Sequence, residues 1–376
     1  MRSPYRFTLA RVAALALLAA GCSASSTPGS SGGGSSWATV SSAAADGGTA
    51  KLVAAAKKEG KLNVIALPPT WANYGTIMRD FQARYGITVN SANPDASSQD
   101  EVNAVKSENG TARAPDVLDV GMAVALVNTD LFAPYKVAAW ADIPTAQKSA
   151  AGLWYQDYGG YMSIGYNSAR FGTITSVRQL LGSKFKNAVA LNGNPTEANA
   201  ALNAVMMANL ATGGTAASIA QGVSFFHRLK QAGNFVPVQA TAATIKAGTT
   251  PVVINWNYLN TASAVGRGAN WKVFVPANAT LAGYDAQAIN KNAPDPAAAR
   301  LWEEFLYSQA ATGGQNLWAK GGARPVEMTA MTSNGSLDKT AVANLPPVSG
   351  TPVFLSATQA SDAATYLNTN WAQAVK

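Results

Sequence analysis

The sequence contains one cysteine, Cys22, and one histidine, His227, among 376 residues. A single cysteine excludes a disulfide framework within the chain and a zinc site built from cysteines. A single histidine excludes the HExxH metal motif and any serine–histidine–aspartate triad that does not use His227. Adjacent acids Glu303 and Glu304 point in different directions on a helix, so they do not form a catalytic pair. We therefore expect no enzyme, no metal centre and no cofactor, with a surface-anchored hydrolase as the less favoured alternative.

Charged residues are also scarce, at 13% of the chain against about 25% in average proteins. The formal net charge is +8, but three of the positive charges, Arg2, Arg6 and Arg11, lie near the N-terminus. The remaining basic residues are scattered, whereas a nucleic-acid-binding protein concentrates them in a patch or stripe. We expect no nucleic-acid partner.

Long apolar runs are missing beyond the N-terminus, where residues 12–20 (VAALALLAA) follow the three arginines. An apolar stretch of this length is too short for a membrane span, and after a basic start it is typical of a secretory signal. Residues 18–22 (LAAGC) resemble a bacterial lipobox, with Ala19 at the position where Leu is commonest. The resemblance implies a signal peptide over 1–21 and a lipid anchor on Cys22, at the outer face of the cell membrane.

The next segment is rich in serine, glycine and alanine. Residues 22–50 contain too few apolar side chains to build a core, so we predict a flexible tether between the anchor and a folded body. The folded body is expected to begin at residue 51.

Strand and helix patterns alternate along the body. Residues 62–67 (LNVIAL) and 116–120 (DVLDV) are typical of buried strands, and residues 76–85 place apolar side chains four apart, as in an amphipathic helix. This alternation favours an α/β fold with a mainly parallel sheet. Ligands of open α/β sheets bind beyond the carboxyl ends of strands, so the loops after Leu67 and Val120 are candidate sites.

Three segments resemble bacterial ABC-transporter solute-binding proteins of the iron, thiamine and polyamine branch. They are residues 57–64 (KKEGKLNV), residues 288–306 (AINKNAPDPAAARLWEEFL) and, after Gln315, residues 322–326 (GARPV). The resemblance covers residues 51 to about 330. It implies a type II periplasmic-binding-protein-like fold with two α/β lobes and a ligand cleft between them.

The same resemblance implies the domain boundaries and the partners. We expect lobe 1 over 51–160 and 284–330, lobe 2 over 161–283, and a C-terminal segment over 331–376 that packs on the lobes. The expected partners are a small-molecule solute, an ABC permease with its ATPase, and the membrane through Cys22. We expect the chain to be a monomer.

Within that branch the closest resemblance is to spermidine- and putrescine-binding proteins. Residues 71–74 (WANY) match their W-x-x-Y motif, residues 255–257 (NWN) resemble their A-W-N motif, and an Asp precedes the returning strand. A polyamine needs carboxylates for its ammonium groups and aromatic faces along its methylenes. The predicted ligand-binding residues are Trp71, Tyr74, Asp157, Glu197, Trp256, Tyr258 and Asp285.

Two features of the sequence leave other classes of solute as alternatives to a polyamine. Residues 194–197 (NPTE) carry only the Glu of the D-x-x-E pattern of polyamine binders, and they also form a good capping box for a helix starting at Thr196. If Glu197 only caps the helix, the free backbone N–H groups at that helix start would suit an anionic solute such as a phosphonate or a sugar phosphate. A ferric-ion binder is disfavoured because the sequence has no adjacent tyrosines.

Overall fold

The computed structural model describes residues 37–263, 270–343, 345 and 348–376. The predicted signal peptide and Cys22 lie outside the described residues. Among the helices that are described, none is both long and apolar enough to cross a membrane.

Helices and strands alternate along the chain, as predicted. The α-helices are α1 (Thr49–Glu59), α2 (Tyr74–Tyr85), α3 (Ser98–Ser107), α4 (Met122–Val127), α5 (Ser168–Phe171), α6 (Asn199–Ala211), α7 (Ala220–Gln231), α8 (Ala242–Lys246), α9 (Asn257–Ala262), α10 (Pro296–Leu306), α11 (Gly314–Lys320), α12 (Met328–Asn334), α13 (Lys339–Ala343) and α14 (Ala357–Ala374). The β-strands are β1 (Lys61–Ile65), β2 (Thr88–Ala92), β3 (Val117–Gly121), β4 (Phe132–Ala133), β5 (Tyr155–Asn167), β6 (Val189–Leu191), β7 (Val252–Trp256), β8 (Trp271–Phe274), β9 (Leu281–Asn290), β10 (Arg324–Pro325) and β11 (Val353–Phe354).

The prediction of a mainly parallel sheet is wrong. Parallel pairing joins β1 to β2, β6 to β7, and β9 to β11, but β5 and β9 pair antiparallel with each other and with most of their other neighbours. Alternation of helix and strand patterns favours parallel pairing but does not determine the direction of each strand. The strand directions are decided here by the two long strands β5 and β9, which run antiparallel to each other between the lobes.

Strand β5 connects the two lobes. Its first part, up to Tyr161, pairs with β9, and its second part, from Met162, pairs with β7 and β8. The chain therefore passes from one α/β lobe to the other within a single strand, and β9 returns it. This is the two-lobed, type II periplasmic-binding-protein-like architecture that the sequence resemblance implied.

Helix α6 lies inside the second lobe. Most of its residues are buried around its whole circumference, so it lacks the solvent-facing polar side that a surface helix has. Its small alanine side chains let strands and helices approach it closely. Its first residue, Asn199, lies against Gly121 at the end of β3, where an added Cβ would come within 2.2 Å of the Asn199 Cβ. Only glycine fits this contact between elements of the two lobes.

The folded body begins earlier than predicted. Residues Trp37, Val40 and Ala43 are buried in the hydrophobic core. The buried Arg300 guanidinium donates from Nε to the Val40 carbonyl at 2.8 Å and from Nη2 to the Ala38 carbonyl at 2.9 Å. This corrects the predicted tether over 22–50. Trp37 and its apolar neighbours pack into the core although the average apolar content of residues 22–50 is low. An average over the segment does not show that its last part is folded.

The C-terminal segment packs against elements of both lobes. Strand β11 pairs with β9, and α14 contacts α7 and α6 of the second lobe and α4 of the first. The Trp371 ring lies 5.3 Å from the Phe226 ring and 6.0 Å from the Phe235 ring, centroid to centroid. His227, on α7, is bonded through Nδ1 to the carbonyl oxygen of Ala374 at 2.8 Å, which gives this lone histidine a packing role.

Candidate functional site

A cavity of about 860 Å³ lies between the lobes. Its walls come from the loop after β1, the start of α3, and β3 on one side, and from the α6 start, α8, α9 and β8 on the other. This volume is in the range of small-molecule sites, which run from about 300 to 1,000 Å³. Two lobes around one cavity are the arrangement that closes on a solute by hinge motion.

The loop after β1 supplies Trp71. Three non-glycine residues in this stretch, Ala66, Ala72 and Asn73, have positive φ angles of 58°, 42° and 72°. Such conformations cost energy and persist only where surrounding contacts hold them. Here the Asn73 side chain donates to the Leu317 carbonyl at 3.0 Å. The loop after Leu67, which the sequence predicts to border a site, lines the cavity through Pro68, Thr70 and Trp71.

Strand pairing brings two acids to the cavity wall. In the antiparallel register of β3 and β9, Asp119 lies opposite Gln287 and Gly121 lies opposite Asp285. Residues two apart on a strand share a face, so Asp119 and Asp285 lie on the same side of the sheet. Both line the cavity, and Asp285 is only 7% exposed.

Each of these acids has an organised set of donors. The Tyr74 hydroxyl donates to Asp119 Oδ2 at 2.7 Å, and the Tyr158 hydroxyl donates to the same oxygen at 3.3 Å. The Asn199 amide donates to Asp285 Oδ1 at 2.6 Å. All these donors are neutral, so the carboxylates are oriented without being neutralised.

Two further acids stand behind them. Glu101, on α3, is 1% exposed and accepts the Asp119 backbone N–H at 2.9 Å. Asp157 lies at an irregularity in the pairing of β5 with β9 and accepts from the Gln287 amide at 2.8 Å. None of the salt bridges of the described residues includes any of these four acids.

Burial without a cation shifts the pKa of every acid in this group. Burial raises the pKa of Asp119 to about 6, although the hydrogen bonds from the tyrosines oppose the shift. Burial and the nearby Asp119 carboxylate raise the pKa of Asp285 to about 8. The same two causes raise the pKa of Asp157 and of Glu101 well above the ordinary range.

The empty protein is therefore expected to lose stability as the pH rises. Unfolded carboxyl groups release their protons near pH 4, whereas these folded groups hold theirs until about pH 6 for Asp119 and about pH 8 for Asp285. Between about pH 4 and pH 8 the folded state binds more protons than the unfolded state. The part of the folding free energy that comes from these protons is therefore fully present below about pH 4 and is lost progressively toward pH 8. Scanning calorimetry at several pH values should show a falling Tm, and a flat profile would contradict the shifts.

The structure places three of the seven predicted ligand contacts, Trp71, Glu197 and Asp285, on the cavity wall. The other four are buried and lie outside the lining residues: Tyr74, Asp157, Trp256 and Tyr258. Tyr74 and Asp157 belong to the hydrogen-bond network beneath Asp119. Trp256 packs against Gly283, where an added Cβ would come within 2.5 Å of the indole, and the Tyr258 ring meets the Tyr158 ring edge to face.

The predicted capping box at residues 194–197 is wrong. Helix α6 begins at Asn199, so the exposed Glu197 stands before the helix rather than in its first turn. The Asn194 side chain accepts from the Thr196 backbone N–H at 3.2 Å, within a separate turn that precedes the helix. Asn199 then begins the helix, and its side chain donates to Asp285.

Sequence reasoning missed Asp119, Glu101 and Asn199. Asp119 stands in the DVLDV strand, one residue before the Val120 whose following loop the sequence analysis selected. An acid between two apolar strand residues was an available signal. Glu101 and Asn199 gave no comparable signal, because each looks like an ordinary residue near the start of a helix.

Two lobes of alternating helices and strands enclose a polar cavity of a size that fits a small solute. The model of the bacterial extracellular solute-binding protein family matches residues 111–345 of the sequence. The match spans more than half of the chain, and the chain belongs to this family. Such proteins are exported, bind small solutes outside the cytoplasm and deliver them to an ABC permease.

Solved structures share the fold at low sequence identity. The periplasmic binding protein AfuA from Actinobacillus pleuropneumoniae, with exogenous fructose-6-phosphate bound, has 18% identity and a TM-score of 0.66, over 84% of this chain and 99% of its own. A periplasmic thiamin binding protein has 15% identity and a TM-score of 0.65, over 84% and 96%. Iron-bound HitA from Pseudomonas aeruginosa has 17% identity and a TM-score of 0.60, over 84% and 99%. No curated protein sequence gave a match.

Proposed function

We propose that this protein is the receptor of an ABC importer for a cationic solute, best represented by a polyamine such as spermidine or putrescine. The observation that carries the proposal is a group of four acids at and behind the cavity wall, which has no ion-pair partner among the described residues. Three of them, Glu101, Asp157 and Asp285, are buried. An isolated buried carboxylate is costly, and an opposite charge within a few ångströms favours its ionised form. A bound cation supplies that charge.

The aromatic part of the cavity suits a chain of methylenes. Trp71, Tyr158 and Trp271 line the cavity, and the Tyr158 hydroxyl donates to Asp119. Each contact of a cation with an aromatic face contributes about 0.5–2 kcal/mol, and each charge-assisted hydrogen bond about 1.5–3 kcal/mol. A few such contacts supply the roughly 8 kcal/mol of micromolar binding after the cost of association.

The structural relatives bind solutes of several charge types, and an anion is the second candidate. The start of α6 borders the cavity through Ala198, Asn199 and Ala200, so its backbone N–H groups face a region that a ligand could occupy. Asp285 accepts from the Asn199 side chain at this same place and would repel an anion. The cationic solute is therefore favoured.

We further propose that Cys22 carries a lipid and that residues between Cys22 and Trp37 tether the body to the outer face of the membrane. The lipobox-like residues 18–22 support this proposal. Metabolic labelling with a radioactive fatty acid should mark the wild-type protein and leave the Cys22→Ser variant unlabelled.

Titration calorimetry on the chain from residue 23 onward tests the solute class. Putrescine and spermidine should bind with a dissociation constant in the micromolar range, about 8 kcal/mol, and added salt should weaken the binding. The matched control is 1,4-butanediol, which has the carbon chain of putrescine without its charges and should give no binding heat. Fructose-6-phosphate, thiamine and ferric citrate complete the set. Binding of the sugar phosphate alone would overturn the cationic assignment and leave the family membership intact.

A further inference from the structure

Asp119 has one oxygen held by the protein and one left free. Tyr74 and Tyr158 both donate to Oδ2, whereas Oδ1 is buried and has no hydrogen-bond partner. Buried carboxylate oxygens normally have partners, so an unpartnered one at a cavity wall is available to accept a hydrogen bond from a bound solute. Asp285 is 93% buried and also has one bonded oxygen: among the described residues, hydrogen bonds reach its Oδ1 but not its Oδ2.

Glu101 fixes the position of Asp119. Its Oε2 accepts the Asp119 backbone N–H at 2.9 Å, which ties α3 to β3 at the cavity wall. The start of α3 is itself held by a capping box between Ser97 and Asp100. The Asp119 carboxylate thus projects from a strand that is fixed from behind by one helix and from the side by two tyrosines.

Other charged groups around the cavity do not compensate these acids. Lys246, on α8, is the basic residue among those lining the described cavity, and it makes none of the salt bridges of the described residues. Asp95, Asp100 and Glu197 line the cavity as well and add negative charge. The buried groups facing Asp119 and Asp285 from the neighbouring strands and helices are Tyr74, Glu101, Asp157, Tyr158 and Tyr258.

We propose that Asp119 and Asp285 together bind one end of the solute as a primary or secondary ammonium group, each accepting an N–H bond, with Glu101 as the positioning residue. The inference rests on the proposed function and deepens it. A free carboxylate oxygen accepts a hydrogen bond from an ammonium N–H, which a quaternary ammonium lacks. The site therefore selects among cations of equal charge. Because Asp285 keeps its proton until about pH 8 in the ligand-free protein, binding of the ammonium at pH 7 releases a proton to solvent.

The first test leaves the protein unchanged. Wild-type protein is titrated with putrescine and with its bis-quaternary analogue, in which both nitrogens carry three methyl groups. The analogue keeps the charge and loses every N–H bond, so it should bind at least about tenfold more weakly, the loss expected for missing charge-assisted hydrogen bonds. Equal binding of the two cations would overturn the inference.

The second test uses variants and counts protons. Asp119→Asn should weaken putrescine binding about tenfold or more. Titrations at pH 7 in buffers of different ionisation enthalpy should show fewer protons released per putrescine, because loss of the Asp119 charge lowers the pKa of Asp285. Glu101→Gln keeps the acceptor for the Asp119 N–H and should bind almost as the wild type, whereas Glu101→Ala should not. Asp362→Asn, which removes an exposed acid on α14 away from the cavity, is the matched control.

The possible failures are distinguishable. If the wild type binds no amine, the proposed function fails. If the wild type binds putrescine and folded Asp119→Asn binds it equally well with the same proton release, this inference alone fails. Thermal unfolding of each variant shows which of them are folded, and the comparison of the two cations on the wild type remains decisive for any that are not.

Discussion

Replacing Asp285 with asparagine should weaken putrescine binding about 100-fold and, at the same time, stabilise the empty protein at pH 8. The two effects have one cause. Asp285 is a nearly buried acid beside Asp119, and both burial and that neighbour raise its pKa to about 8. An amide of the same shape removes the charge that the solute needs and also removes the electrostatic cost of an empty site.

The effect on stability depends on pH in a defined direction. Near pH 4 the Asp285 carboxyl is protonated in the folded protein, so the wild type and Asp285→Asn should have nearly the same Tm. As the pH rises to about 8, only the wild type loses the stability linked to this proton. Scanning calorimetry of the two empty proteins at both pH values measures the difference, and titration calorimetry measures the affinity. The Asn199 amide can still donate to the new side-chain oxygen, which preserves the local fold.

Asp362→Asn serves again as the control, since it removes one exposed negative charge at a distance from the cavity. It should change neither the affinity nor the slope of Tm against pH. A loss of affinity in Asp285→Asn without any gain in stability at pH 8 would show that the empty site is not strained by this charge. An unchanged affinity would remove Asp285 from the proposed site.

The second large effect concerns the N-terminal boundary of the body. A chain that begins at residue 51, where the sequence alone places the start, should be less stable than a chain that begins at residue 37 by more than about 5 kcal/mol. The deletion removes the buried side chains of Trp37 and Val40 and exposes the core face that they cover. Loss of a buried tryptophan side chain alone costs about 3–5 kcal/mol.

The deletion also leaves Arg300 without two of its acceptors. Its guanidinium remains on α10 at the edge of the core, but the carbonyls of Ala38 and Val40 are gone. Unsatisfied buried donors on a charged group add to the cost. Thermal unfolding of the two chains should differ by about 10 °C or more. Equal Tm values would show that residues 37–50 do not stabilise the body.

A milder variant separates packing from chain length. Trp37→Ala in the chain from residue 37 should account for about 3–5 kcal/mol of the loss, because it empties the same place in the core while keeping the backbone acceptors of Arg300. If this variant is as stable as its parent, the stabilisation comes from the hydrogen bonds to Arg300 and not from the indole.

Sequence patterns predicted the local elements well. The strands predicted over 62–67 and 116–120 and the helix predicted over 76–85 differ from β1, β3 and α2 by no more than about two residues at either end. The periodicity of apolar side chains reflects burial of one face or of a whole strand, and this signal is local. The pairing of β3 with β9 joins residues far apart in the chain, so no local pattern could indicate that Asp119 and Asp285 share a face.

The candidate site shows the same division between what local motifs indicate and what contacts between distant residues decide. Trp71 and Asp285 were identified because each stands in a motif beside a strand end, and the structure places both on the cavity wall. Trp256 belongs to a motif of the same kind but packs against Gly283, because burial depends on what the opposite strand presents. Glu101 stands near the start of a helix and acquires its position only from the contact between α3 and β3.

The sequence by itself determined the alternating α/β elements, the resemblance to solute-binding proteins and the near absence of histidine and cysteine chemistry. These follow from composition, periodicity and short motifs, which are properties of neighbouring residues. Tertiary structure alone decided the strand directions, the true start of the folded body and the grouping of four acids around one cavity. Each of those depends on contacts between distant segments, and burial at such contacts raises the pKa of the carboxyl groups.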